Sequence, residues 1–519
     1  LYVDNGNNLS WNANAALYYT RSFNKHNLNL SVAWEASSGS SDATSAHYRG
    51  FPNGQFHSPN YAAEIYEKPS RTEGTSRMVS TWATGNYTWN DIYLADFSVR
   101  FDGSSDFGSK QRWAPFFSGG LGVNIHNYEF LKGNEIVNKL KVRASYGRTG
   151  KASFPSYAAT TMYEALFDEW YATGFGAVLK ALGNNNLSWE KTDKFNVGIE
   201  MQFLNRRLTV DADYYHDKTI DLVNDVSLSQ TSGFSSYKDN MGEVLNQGFE
   251  LQVRGEVFRN RDWLVALWGN MAHNQNKIVK ISDSQRAYNL RVEQFYQNSA
   301  NEEYGRYNAQ YAVPISQYEE GQSLTSIWAV KSLGIDPTTG KEIFLNRDGS
   351  VSDTWNATQE VAVGNTEPKF NGSIGFNAAY KQWSLFAAFQ YEWGGQEYNQ
   401  TLVDRVENAR IQYQNVDLRV LTDRWKQPGD IAQFKDIKNA DSATMPTSRF
   451  VQDKAYLRLS ALTLSYDFNR EWIKKYLGMN MLRLEASTRD FINWNSIRQE
   501  RGLSYPKSWT VDFSIKAQF

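Results

Sequence analysis

SWTVDFSIKAQF, residues 508–519, is the stretch on which the fold turns. Trp509, Val511, Phe513, Ile515, Ala517 and Phe519 fall on one side, and Ser508, Thr510, Asp512, Ser514, Lys516 and Gln518 on the other. Only an extended strand sustains that period of two. A soluble sheet with one wet face shows the same alternation. A strand this long, ending on an aromatic, also fits the closing strand of a transmembrane barrel, whose apolar face meets lipid and whose polar face meets a watery lumen.

The segments upstream repeat the pattern. Tyr93, Ala95, Phe97, Val99 and Phe101 alternate with Asp96, Ser98 and Arg100. Phe195, Val197, Ile199, Met201 and Phe203 oppose Lys194, Asn196, Glu200 and Gln202; the chain turns at Asn205, and Leu208, Val210, Ala212 and Tyr214 resume the period. Trp383, Leu385, Ala387, Phe389, Tyr391 and Trp393 share one face of the strand after another tight turn. REWIKKYLG, residues 470–478, reads as a helical turn between two such strands. Long polar connections at residues 38–75, 148–191, 218–243, 277–368 and 394–454 alternate with short ones such as FRNRD at residues 258–262. Long loops at one end and tight turns at the other are the asymmetry of outer-membrane barrels. The 92 residues at 277–368 are expected to hold structure of their own, because a loop of that length seldom lacks it.

Counted this way there are about fifteen strands, each near the ~9 to 11 residues that a tilted membrane strand needs. A bacterial barrel has an even number. The expectation is therefore an all-β protein, a transmembrane antiparallel barrel of which residues 1–519 are the C-terminal part. Composition agrees, with aromatics at 15% beside 21% charged residues. That pairing is unusual for a soluble core and natural for a barrel with aromatic girdles and a wet interior. No run approaches the ~20 apolar residues of a spanning helix. A net charge of −2 leaves no basic footprint for nucleic acid, and the absence of cysteine removes disulfides, thiolate metal sites and thiol nucleophiles.

Specific strings then make a family visible. RFDGSSDFGSKQRW (residues 100–113), RASYGRTGK (143–151), LSWEKTDKFNVGIE (187–200) and NMGEVLNQGFEL (240–251) are followed by EGQSL (320–324), GIDPTTGKEIF (334–344), VGNTEPKFNGSIG (363–375) and AYLRLSALTLSY (455–466). In this order the chain resembles the SusC/RagA family of TonB-dependent outer-membrane transporters of Bacteroidetes. The resemblance implies a 22-stranded, plugged barrel. Its plug, its TonB-contacting segment and its first strands have no counterpart in residues 1–519. It further implies TonB-energised uptake of oligosaccharides or peptides captured with a SusD-like surface lipoprotein. Membrane lipids and the TonB complex would be the other partners, with room for a dimer of transporter pairs. Trp509, Phe513 and Phe519 then read as a barrel-assembly signal. A passive porin or a surface adhesion barrel is the alternative.

Chemistry is sparse. The six histidines, His26, His47, His57, His126, His216 and His273, lack metal-ligand spacing, and no nucleophile elbow is present. No enzyme, cofactor or metal is expected. GIDPTTGKE superficially resembles a phosphate loop, but its spacing is wrong and Glu342 stands where Ser or Thr should hold magnesium; it reads as a Pro-Thr-Thr-Gly turn between two extended pieces. Asp102 and Asp106 supply two carboxylates, short of a calcium shell, and read as loop caps. The better ligand candidates are loop aromatics: Phe167, Trp170, Tyr171, Trp328, Trp355 and Tyr398, whose rings suit stacking on sugars or packing of peptide side chains. The plainer use of such rings is to pack loops together. The strand aromatics Trp383, Tyr391, Trp393 and Trp509 read as lipid-facing or girdle residues.

Overall fold

The computed structural model describes residues 1–52, 54, 58–108, 110–151, 159–172, 174–227, 236–240, 242–298, 303–304, 308, 311, 317–413, 416–439, 443–498 and 509–519. Its principal sheet holds β1 (Tyr2–Phe23), β2 (His26–Arg49), β3 (Glu64–Trp89), β4 (Tyr93–Ser104), β5 (Trp113–Asn124), β6 (Val137–Lys151), β7 (Glu190–Phe203) and β8 (Leu208–Ile220). It continues through β9 (Glu243–Arg259), β10 (Trp263–Lys280), β11 (Phe370–Tyr380), β12 (Trp383–Tyr398), β13 (Val451–Asp467), β14 (Met481–Arg489) and β15 (Thr510–Gln518). Sheet order follows chain order through all fifteen, and the short strand Asn493–Asn495 pairs β13 as the sheet's sixteenth member. Sequential antiparallel pairing is what tight turns permit, since a parallel neighbour would need a crossover. Leu204, Asn205 and Arg206 make one such turn with φ of 56°, 56° and 65°.

Two compact units divide the chain, one of Leu1–Asn127, Arg143–Phe195 and Asp217–Glu243, the other of Tyr128–Val142, Asn196–His216 and Val244–Phe519. In the first, β2 and β3 run on well past membrane length as a ribbon, pairing from His26↔Trp89 to Arg49↔Glu64. The polar loop expected at residues 38–75 is mostly this ribbon. Its Ser, Thr and Gly residues face water on both sides, so no apolar alternation announces it. Cross-strand ion pairs Arg71–Asp42 and Arg49–Glu64 decorate it. Two further hairpins, Met162–Tyr171 with Gly174–Ala181 and Val223–Ser227 with Ser236–Asn240, lie in segments expected as loops.

Three of the strings that carry the family resemblance meet in this unit. Phe107 stacks on Trp189 with ring centroids 4.2 Å apart, and Phe116 meets the same indole edge-on at 5.5 Å. These rings, with Ala114, form a buried cluster. The Trp189 indole N–H donates to the Arg112 carbonyl at 3.2 Å, satisfying the one polar atom of a buried Trp. Asn240 closes the third side, accepting from the Ser188 N–H at 2.7 Å and donating to the Ser188 carbonyl at 2.9 Å. Asp102 accepts from the Arg100 guanidinium at 2.7 Å, while Asp106 accepts from Ser76 Oγ at 2.6 Å. Each carboxylate thus serves its own local partner.

In the second unit, the expected structure within residues 277–368 is present: helix α1 (Asp283–Asn298), a two-stranded pair Ser326–Ala329 with Val361–Asn365, and a three-stranded piece Lys331–Ile335, Glu342–Leu345, Val351–Ser352. The turn at Asp336 is as read from the sequence. Asp336 Oδ1 accepts the Thr338 N–H at 2.9 Å, and Gly340 takes φ of +70° while donating to the Asp336 carbonyl at 2.8 Å. Only glycine adopts that left-handed conformation cheaply.

Candidate ligand cleft and loop layer

At the ends of β10, β11, β12 and β13 next to their long loops, a cleft of about 1020 Å³ opens within the second unit. Its lining is polar: Asn274, Gln275, Asn276, Ser323, Glu367 and Gln396 among others, with Asp453, Lys454 and Trp393 at hand. Two strings from the sequence build it. EGQSL contributes Ser323, whose Oγ donates to Asn276 Oδ1 at 3.1 Å; NTEPKF contributes Glu367, whose Oε2 accepts the Asn276 N–H at 3.0 Å and whose Oε1 accepts from Asn274 Nδ2. Asn276 Nδ2 donates to Asn246 at 2.8 Å, and Tyr215 donates to Asn274 Oδ1 at 2.8 Å. A chain of amides on β9 and β10 is thereby fixed by a single carboxylate. Gln396 bridges from the Asn365 N–H at 3.1 Å to Asp453 at 3.1 Å. Lys454 sits 3.2 Å from Glu397 and 3.6 Å from Glu392. Such a lining offers directional donors and acceptors to a hydroxyl- or amide-rich ligand.

A folded layer in the same unit is built from the loop between β12 and β13. Leu402, Val403, Val406, Ala409, Val420, Phe434 and Phe450 form its apolar core. Inside it lies a charge network. Arg449 donates to Glu342 at 2.8 Å and to Glu407 at 2.7 Å, and Glu407 is fully buried. Burial works against the Arg449 charge, but the hydrogen bonds to Glu342 and Glu407 outweigh it and hold the guanidinium above its ordinary range. Arg424 has carbonyl partners instead, donating to Lys435 O at 2.8 Å and Glu407 O at 3.0 Å. Burial pulls its pKa below the usual arginine value, with Glu407 opposing. Trp425 caps the layer, its indole N–H donating to Pro337 O at 2.9 Å.

Of the loop aromatics, Tyr398 lies 6.0 Å from Phe450, packed against the layer's core. Trp355 donates to Pro446 O at 3.0 Å. Trp328 stands in the strand Ser326–Ala329 opposite Ala362. The side chains of Phe167, Trp170 and Tyr171 lie outside the described residues, although their backbone belongs to the strand Met162–Tyr171. Of the three whose side chains are described, Trp328, Trp355 and Tyr398, none is among the residues lining the cleft. The residues that do line it escaped sequence reasoning, because Asn276 and Glu367 are 91 positions apart. The run of Asn270, Asn274 and Asn276 on one strand face was the available signal. At the other end of the chain, Trp509, Phe513 and Phe519 are 68%, 82% and 81% exposed on or beside β15.

The model of the family "TonB dependent receptor-like, beta-barrel" matches residues 1–487. TonB-dependent receptor P3 of Formosa agariphila is 26% identical over 513 residues, covering 95% of this chain and 48% of that protein. TonB-dependent receptor SusC of Bacteroides thetaiotaomicron is 31% identical over 302 residues, covering 53% of this chain and 29% of that protein. The chain thus spans about half the length of the first of these relatives, or less. Among solved structures, the RagAB peptide importer in its open-open state superposes with a TM-score of 0.83 at 22% identity, covering 100% of this chain and 55% of that one. Fifteen sequential strands, alternating long and short connections and these matches converge: the chain belongs to the TonB-dependent receptor-like β-barrel family and is an outer-membrane β-barrel.

Proposed function

We propose that this chain is the C-terminal barrel portion of an energised importer that takes up oligosaccharides or peptides captured with a SusD-like surface lipoprotein. The observation that carries the reading is the polar cleft at the long-loop ends of β10–β13, built from two family strings. A lumen alone gives a passive path; uphill transport needs a plug displaced through TonB. The peptide named for the RagAB importer supports the peptide class. The lining of amides, hydroxyls and paired charges serves oligosaccharides and peptides alike.

Uptake of fluorescent oligosaccharides and peptides by cells carrying or lacking this protein, each with TonB active or inactivated, tests the proposal. Uptake that needs both supports it, and co-purification of a surface lipoprotein identifies the lid. Uptake that persists without TonB indicates a passive porin. Surface binding with no uptake indicates an adhesion barrel.

A further inference from the structure

The connection from β13 to β14 carries helix α2 (Arg470–Leu477). Asn469 starts it, its side-chain oxygen accepting from the Glu471 N–H at 2.9 Å and the Trp472 N–H at 3.3 Å, and Gly478 ends it at φ of +67°. Ile473 is buried against the protein, yet Trp472, Tyr476 and Leu477 are 47%, 63% and 45% exposed. Exposed aromatics on a capped, well-formed helix call for a covering phase.

The rings show what that phase is. Trp472 and Tyr476, one turn apart, have centroids 5.8 Å from each other, and Phe468 stacks on Trp472 at 6.2 Å. The ladder then leaves the helix: Phe468 meets Tyr466 at 5.0 Å, and Tyr466 meets Trp383 at 4.8 Å. Trp383 pairs across strands with Tyr466 and with Tyr380, and Tyr380 pairs with Trp263. One aromatic level therefore crosses β10 to β13 at their tight-turn ends and continues without a break along α2. In a barrel such a level marks the interface between hydrocarbon and headgroups. Basic groups accompany it, with Lys475 Nζ 5.2 Å from the Tyr476 ring centroid and Lys381 Nζ 5.3 Å from that of Tyr380. Lys474 is exposed beside them.

We infer that α2 is an interfacial anchor lying in the phospholipid headgroup zone of the periplasmic leaflet. Trp472, Tyr476 and Leu477 enter the acyl boundary, and Lys474 and Lys475 face anionic lipid phosphates. Continuity with the girdle selects lipid over a periplasmic protein as the occupant. The helix has the composition of membrane-surface helices, aromatic and aliphatic on one side and basic on the other.

Residues 1–519 hold no cysteine, so a thiol introduced on α2 is the only one in this stretch. Single-cysteine variants at Trp472, Tyr476, Leu477, Glu471 and Lys474, made in the protein purified from the outer membrane and labelled with an environment-sensitive fluorophore, report immersion in phosphatidylethanolamine–phosphatidylglycerol vesicles. Nitroxide lipids should quench positions 472, 476 and 477 roughly threefold more than 471 and 474, with aqueous iodide showing the reverse order. The Leu477 label leaves the ring ladder intact, so misfolding of an aromatic variant does not decide the test. Equal iodide access at all five positions overturns the proposal, as does protection from both quenchers, which would mean a protein cover. Replacing Lys474 and Lys475 by Gln should reduce lipid quenching at Leu477 only when phosphatidylglycerol is present. An unchanged signal overturns the phosphate assignment.

Discussion

Arg449 and Glu407 lie 2.7 Å apart inside the loop layer, and Glu407 has no exposed surface. A carboxylate in that position needs its cation, since desolvation without a partner costs more than the pair returns. Replacing Arg449 by Met leaves both Glu407 and Glu342 without their shared donor. The expected loss is about 3–5 kcal/mol of stability, confined to the layer rather than the sheet. Limited proteolysis of intact cells should show faster cleavage within residues 399–450, with the heat-resistant barrel band unchanged. A cleavage rate equal to that of the parent protein contradicts the assignment.

Asp417 gives the same layer an acid limit. Burial raises its pKa, but the Arg419 N–H at 2.8 Å and the Arg419 guanidinium at 2.9 Å outweigh that and hold the carboxyl below its ordinary value of 3.8. A depressed folded pKa stabilises the fold above the unfolded pKa, and the contribution is lost as pH falls through the folded value. Hydrogen-exchange protection at residues 417–423, taken relative to the intrinsic rate at each pH, should therefore fall below about pH 4, where unfolded carboxylates protonate. Asp417→Asn should exchange faster at neutral pH and lose most of this acid response. An identical acid response in the variant removes Asp417 as its source.

Glu367 tests the cleft. It accepts the Asn276 N–H at 3.0 Å with one oxygen and the Asn274 amide with the other. Glutamine at this position must turn its own NH₂ toward one of these donors, leaving a donor unmatched at a cost of about 1–3 kcal/mol. The expected result is a several-fold higher half-saturation concentration for uptake with normal amounts of assembled barrel. Unchanged uptake in Glu367→Gln separates the cleft from ligand capture.

How far this was legible in the sequence follows from the range of each interaction. Alternation within ten residues and tight turns are local, so all fifteen principal strands could be counted, as could the turn at Asp336 and the helix at 470–477. The β2–β3 ribbon was not legible, because strands wetted on both faces keep their backbone pairing without an apolar period. The two hairpins in the loops at residues 148–191 and 218–243 lie outside the alternating pattern too. The cleft depends on Asn276 meeting Glu367, and the layer on Arg449 meeting Glu342 across 107 positions. Nothing in either local string states its partner. The strings RFDGSSDFG and LSWEKTD were recognisable as a family signature, yet that Phe107 stacks on Trp189 is a fact of topology alone.

β15 pairs β14 through nine register partners from Arg489↔Thr510 to Met481↔Gln518, with Phe513 opposite Ala486 near the middle. Its ring is 82% exposed and shares a face with Val511 and Ile515, 55% and 72% exposed. On an outer-membrane barrel, that face meets lipid. Phe513→Arg places a guanidinium there, costing about 2–4 kcal/mol near the bilayer midplane and almost nothing at the interfaces. The variant should unfold at lower urea in phospholipid vesicles and accumulate less folded protein in the outer membrane. Asp512→Arg, one residue away and on the opposite face, should change stability far less. If both variants lose stability equally, the 511–513–515 face is not the lipid face and the register of the closing strand must be redrawn.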